Sequence, residues 1–199
     1  MKKKFIDSSL KLISNNHHMN DLDIKKYRYG LEALYNLTTK MIVMIIISLI
    51  LNIELEFLAL VIIYSIFRLY GFGIHMKTSL LCWFTTVPIY IGGCFLMKNI
   101  IFPSYISYIL WIVGFISFIL FAPADTPARP LIHRDKRIRA KILSIVIVII
   151  SFVIYINIHD VVIKNLILYG LLIESISINP LTYILFNTEF NNYKKFKMV

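Results

Sequence analysis

The chain has 199 residues, 58% of them hydrophobic, and a mean hydropathy of +0.75. A soluble domain of this length cannot hide so much apolar surface, so composition excludes the ordinary soluble class and favours a membrane protein. A net charge of +10 on a chain with only 16% charged residues fits anionic lipid headgroups and topology signals; no nucleic-acid partner is expected.

Residues 1–29 read as a cytoplasmic arm. Phe5, Ile6, Leu10, Ile13, Met19 and Leu22 recur at roughly helical spacing with lysines between them, the pattern of an amphipathic helix lying on the inner leaflet. A partly disordered basic arm is the alternative. The opening lysines are not followed by an apolar stretch before Asp7, so no secretory signal is expected.

Residues 30–199 read as one all-α membrane domain of about six transmembrane helices, over 37–51, 57–67, 79–97, 101–121, 142–156 and 161–186. A crossing needs about 20 mostly apolar residues. The third, fourth and sixth stretches meet that length. The first, second and fifth are short and need tilt, flanking residues such as Arg68, or re-entry.

Orientation follows from Lys and Arg. The loops expected on one side hold only Lys98 and Lys164. The others lie before the first span, after the second (Arg68, Lys77), after the fourth (Arg129, Arg134, Lys136, Arg137, Arg139, Lys141) or in the tail. The positive-inside rule then predicts a multi-pass cell-membrane protein with both termini cytoplasmic.

The densest polar cluster is 68–82. It places His75 and Cys82 seven residues apart at the cytoplasmic edge of the third span. A thiol is a weak nucleophile until an imidazole takes its proton. The bland alternative makes Cys82 a small packing residue and His75 an interface anchor. Seven helical residues return to the same face but rise about 10.5 Å. A straight helix therefore keeps the pair apart, and Gly71 and Gly73 supply the freedom for a bend.

Arg68, Gly71, Gly73, His75 and Cys82, followed by Pro123-Ala124-Asp125-Thr126-Pro127 and Arg129-Pro130-Leu131, resemble the accessory gene regulator protein B (AgrB) family of membrane cysteine endopeptidases. The resemblance covers nearly the whole chain. It implies that His75 and Cys82 are catalytic, and that a glycine just before the histidine corresponds to Gly71 or Gly73. The implied activity is cleavage of a small AgrD-like precursor peptide and its closure, through an acyl-enzyme thioester, into a thiolactone or lactone quorum-sensing peptide.

The remaining candidates each carry two readings. Arg68 binds a substrate carboxylate or carbonyl, or snorkels to headgroups. Asp125 orients His75 as a third member, or fixes a turn in the Pro-rich loop. Thr78 and Ser79 donate to an oxyanion, or cap a helix start. Arg134, Lys136, Arg137 and Arg139 attract the precursor's tail, or contact anionic lipids. Glu174 and Asn179-Pro180 mark a kinked polar helix, facing substrate or serving as helix–helix glue.

Cys94 reads as packing. The cysteines form no CxxC pattern, and His17, His18, His133 and His159 are scattered. No metal or cofactor is expected. A second copy of the chain is a further candidate partner. The rival functions are a small transporter, for which only Glu174 offers an intramembrane charge, and a non-catalytic membrane scaffold.

Overall fold

In the computed structural model, residues 2–16, 20–76, 78–127 and 130–195 are described. The expectations resting on Met19, Lys77 and Arg129 lie outside them. The chain divides into two compact units, Met1–Ile50 and Leu51–Val199.

The first unit is a pair of helices, α1 (Lys2–Asn16) and α2 (Asp21–Ile50). The expected amphipathic pattern is visible on α1, where Ile6 and Leu10 are buried one turn apart while Lys3 and Lys4 are exposed. Phe5 lies against Tyr35 of α2, with ring centroids 5.6 Å apart. Ion pairs Asp7–Arg28 at 3.2 Å and Lys2–Glu32 at 3.6 Å also join the two helices.

The expected arm boundary at residue 29 falls inside α2, which begins at Asp21. Asp21 and Asp23 in its first turn favour a start there by complementing the helix dipole. The first crossing stretch is thus the end of a 30-residue helix rather than a short segment.

The second unit contains α3 (Glu54–Gly71), α4 (Ser79–Val87), α5 (Gly93–Asn99), α6 (Ser104–Phe121), α7 (Arg134–Asn157), α8 (Val161–Ile178) and α9 (Pro180–Leu185). A π-helical turn at Pro88–Gly92 joins α4 and α5 into one span, Ser79–Asn99. Pro88 has no N–H for the regular ladder, which resets there. The Tyr169 hydroxyl donates to the Ile89 carbonyl within the turn at 2.9 Å.

Five helices are long and apolar enough to cross a membrane: α2, α4–α5, α6, α7 and α8. The second expected span corresponds to α3, whose 18 residues include Glu54, Glu56 and Arg68. No strand forms among the described residues. This is an all-α, multi-pass membrane protein. Large apolar side chains such as Ile112 and Leu120 of α6 stay exposed in the isolated chain, as expected of surfaces that meet lipid.

Helix α8 is the axis of this unit. It packs on α3, α5, α6 and α7. Its Ile167, Leu168, Leu171 and Ile178 are buried with Phe67, Trp111, Phe118 and Val148. Gly114 lets α6 approach closely: a Cβ there would stand 2.7 Å from Leu171, the small-residue contact typical of membrane helices.

Contacts define the two ends of the unit. At one, Lys98 pairs with Glu56 at 2.8 Å, and Asn165 donates to the Met97 and Ile100 carbonyls at 3.0 and 2.7 Å. The opposite end gathers the last turns of α3, α6 and α8 and the first turns of α4 and α7.

Two further differences from the sequence reading lie at that second end. The basic run begins α7 instead of forming a loop, because Lys and Arg are good helix formers. The last expected span breaks at Asn179-Pro180. The Asn179 side chain accepts from the Leu181 amide at 2.9 Å, capping α9, and Pro180 occupies the first helical position.

Candidate active site

The backbone between Arg68 and Cys82 is not one helix. Helix α3 stops at Gly71, residues 73–76 are irregular, and α4 starts afresh at Ser79. Phe72 and Gly73 both take positive φ, 70° and 65°. Such a pair turns the chain out of the helix. His75 lies on the irregular segment and is exposed. Cys82 lies in the first turn of α4, half-buried, with its amide donating to the Thr78 carbonyl at 3.1 Å.

Thr78 caps α4: its side-chain oxygen accepts from the Leu81 amide at 3.3 Å. Ser79 is exposed beside it at the first helical position. One turn beyond Cys82, the Thr86 hydroxyl stands 3.6 Å from the Cys82 sulfur. Thr86 is not among the candidates named from the sequence; its i+4 spacing from the thiol is the signal that points to it. Cys94 is buried in α5, as expected for packing.

The irregular segment is clamped from two sides. On the α8 side, Arg68 pairs with Glu174 at 3.2 Å. Its guanidinium also donates to the Ser177 hydroxyl and the Ile74 carbonyl. The Ile74 amide in turn donates to the Ser177 carbonyl at 3.1 Å. Arg68 is therefore an internal brace, and neither headgroups nor substrate are needed to account for its charge. Glu174 is fully buried against it and serves as helix–helix glue.

Both glycines are required by this packing. A Cβ on Gly71 would stand 2.5 Å from the Glu174 carboxylate, and one on Gly73 would collide with Arg68 and Ser177.

On the other side sits the Pro123–Pro127 motif. The Ala124 amide donates to the Gly71 carbonyl at 3.0 Å, and Phe72 and Ala124 form an isolated parallel bridge. The Ala124 carbonyl accepts from the buried Tyr183 hydroxyl at 2.9 Å. Lys141 donates to the carbonyls of Phe118, Ile119 and Ala122, ending α6 where the motif begins. The two motif regions, some fifty residues apart in the chain, are thus joined.

Asp125 is fully buried, and its carboxylate serves the loop and the tail. It accepts from the Leu131 amide at 3.2 Å and the Tyr193 amide at 2.9 Å, and lies 3.8 Å from Arg137. Arg137 stacks on the Tyr193 ring, 3.4 Å from its centroid, and donates to Asn191 at 3.1 Å.

The basic run is therefore divided in its tasks. Arg137 turns inward, whereas Lys136 and Arg139 line a cavity of about 520 Å³ with Tyr70, Phe72, Leu131 and His133. Arg134 is exposed at the start of α7.

Comparison with known proteins decides the family. The profile for accessory gene regulator B matches residues 6–178. The chain belongs to the accessory gene regulator B family. A putative AgrB-like protein of Listeria innocua is 33% identical over 86% of this chain and 84% of its own length. Another from Clostridium acetobutylicum is 27% identical over 95% and 90%. The accessory gene regulator protein B of Staphylococcus aureus is 25% identical over 89% and 94%. No solved structure matches. The matched stretch contains every residue of the His75 loop, of α4 and of the Glu174–Ser177 brace.

Proposed function

We propose that this chain is a cysteine endopeptidase of the cytoplasmic membrane face, acting in accessory gene regulator quorum sensing. Its substrate is a small AgrD-like precursor, which it cleaves and cyclises. The observation that carries this reading is the break between α3 and α4. It puts a histidine on a braced irregular segment and a cysteine in the first turn of the next helix, instead of on one rod about 10.5 Å apart.

In the proposed sequence, His75 takes the Cys82 proton and the thiolate attacks the scissile carbonyl. The oxyanion collapses, the amide bond breaks and His75 protonates the departing amine. The retained fragment is now a thioester on Cys82. A substrate thiol or hydroxyl, losing its proton to His75, attacks that thioester and closes the ring. Cys82 leaves as the thiolate and recovers its proton. Exchanging a thioester for a thiolactone changes bond energy little, so holding the ends together is the main requirement. A site at the membrane edge limits hydrolysis of the intermediate.

The Thr86 hydroxyl is placed to donate to the thiolate. Asp125 works as a loop anchor, and Thr78 as a helix cap. Lys136 and Arg139 beside the cavity attract the precursor, with anionic lipid as the competing partner. The positive-inside rule supports the cytoplasmic side, because the site shares its end of the unit with the basic start of α7.

The test is incubation of an AgrD-like precursor with reconstituted protein. Wild type and Cys94→Ser should cleave it, and Cys82→Ala should not. Cleavage by Cys82→Ala would remove the cysteine-peptidase reading.

A further inference from the structure

We propose that Glu174 and Ser177, on α8, are positioning residues for His75 and act through Arg68. This rests on the peptidase reading above, and it assigns a role in that site to a span about a hundred residues further along the chain.

The geometry runs through one peptide group. The carbonyl of Ile74 and the N–H of His75 belong to the same planar unit, so fixing that carbonyl fixes the plane from which His75 departs. Arg68 holds the carbonyl with Nη2. Its Nη1 is held in turn by the Glu174 carboxylate at 3.2 Å and by the Ser177 hydroxyl. The backbone of Ser177 holds the other side of Ile74, accepting its amide at 3.1 Å. Two residues of α8 thus grip both polar groups of Ile74, one directly and one through the guanidinium.

Charge makes the grip depend on Glu174. The Glu174 side chain is 0% exposed and that of Arg68 21%. Bonds between a guanidinium and a carboxylate are roughly twice as strong as neutral ones. Without the carboxylate, a long Arg side chain at the end of a span swings toward headgroups and water, and the Ile74 carbonyl loses its donor. The backbone is not stiff enough to hold the segment alone, because Gly73 sits at φ 65° with no side chain.

The test needs no substrate at first. In a Cys94→Ser background Cys82 is the sole cysteine of the chain, and its alkylation by iodoacetamide, followed by intact mass, reports thiolate activation. His75→Ala, Glu174→Gln and Ser177→Ala should each slow alkylation, on the order of tenfold to a hundredfold for a base misplaced by about an ångström. Combined with His75→Ala, neither α8 substitution should slow it further, since both act through the same imidazole. Ser177→Thr, which keeps the hydroxyl, should restore the rate. With precursor, Ser177→Ala should lower kcat and leave KM in place.

Ser177→Ala is the gentler change, and it carries the test if Glu174→Gln does not fold. Wild-type alkylation in the α8 variants, or equal slowing in the His75→Ala background, would overturn the positioning role. An unchanged rate in His75→Ala alone would overturn the dyad itself, and this inference with it.

Discussion

The backbone N–H of Tyr193 donates to the carboxylate of Asp125 at 2.9 Å, so the C-terminal tail is fastened to the loop that braces the His75 segment. The same carboxylate accepts from Leu131 and faces Arg137. A buried carboxylate with these partners is an anchor. Asp125→Asn keeps an oxygen that can accept the amides and should retain at least half of the cleavage rate. Asp125→Ala leaves the Arg137 charge and two amides without their acceptor, and should lose about 3 to 5 kcal/mol of stability. Thermal unfolding and initial rates on both variants check this. A loss of about a thousandfold or more in a well-folded Asn variant would instead make Asp125 the orienting partner of His75.

Gly73→Ala should be among the most damaging small changes. Positive φ alone costs a residue with a Cβ roughly 1 to 2 kcal/mol, and the added carbon collides with Arg68 and Ser177. Cleavage should fall below detection. Gly30→Ala is the matched control: nothing lies within 4 Å of its Cβ position, and alanine improves the helix by about 1 kcal/mol. Full activity in Gly73→Ala would mean that the brace does not set the site.

Charge reversal should separate the basic residues of α7. Lys136→Glu and Arg139→Glu should raise the apparent KM for an acidic precursor more than they lower kcat, because their side chains line the cavity. Arg137→Glu should lower folded yield, since its guanidinium is committed to Asp125, Asn191 and Tyr193. Identical kinetics in all three would assign the run to lipid contact or topology alone.

Much of this arrangement was legible in the sequence, for local reasons. The rise of a helix, set against two glycines, already pointed to a bend between Arg68 and Cys82 if His75 and Cys82 work as a pair. Thr78 before an apolar run read as a cap, and Asn179-Pro180 as a kink. What remained hidden was nonlocal. Arg68 beside a span reads as a snorkelling side chain, and its partner is 106 positions away. Arg137 looks like Lys136 and Arg139 in a basic run, and only the tail folding back explains why it turns inward. The start of α7 was obscured because charge resembles a loop until helix propensity is weighed.

Topology is tested by accessibility. In a background without native cysteines, a cysteine at Asn99 should react with an impermeant maleimide on intact cells, and one at Arg134 only after permeabilisation. The reverse pattern would put the site on the outer face and remove the cytoplasmic precursor from the account.

The most direct measurement is the intact mass of the protein after exposure to an AgrD-like precursor whose ring-forming residue is replaced by Ala. Acylation should proceed and cyclisation should not. A covalent adduct on Cys82 with the mass of the retained fragment is therefore expected, released by hydroxylamine and absent in Cys82→Ala. Cleavage without any adduct, and undiminished in Cys82→Ala, would contradict it.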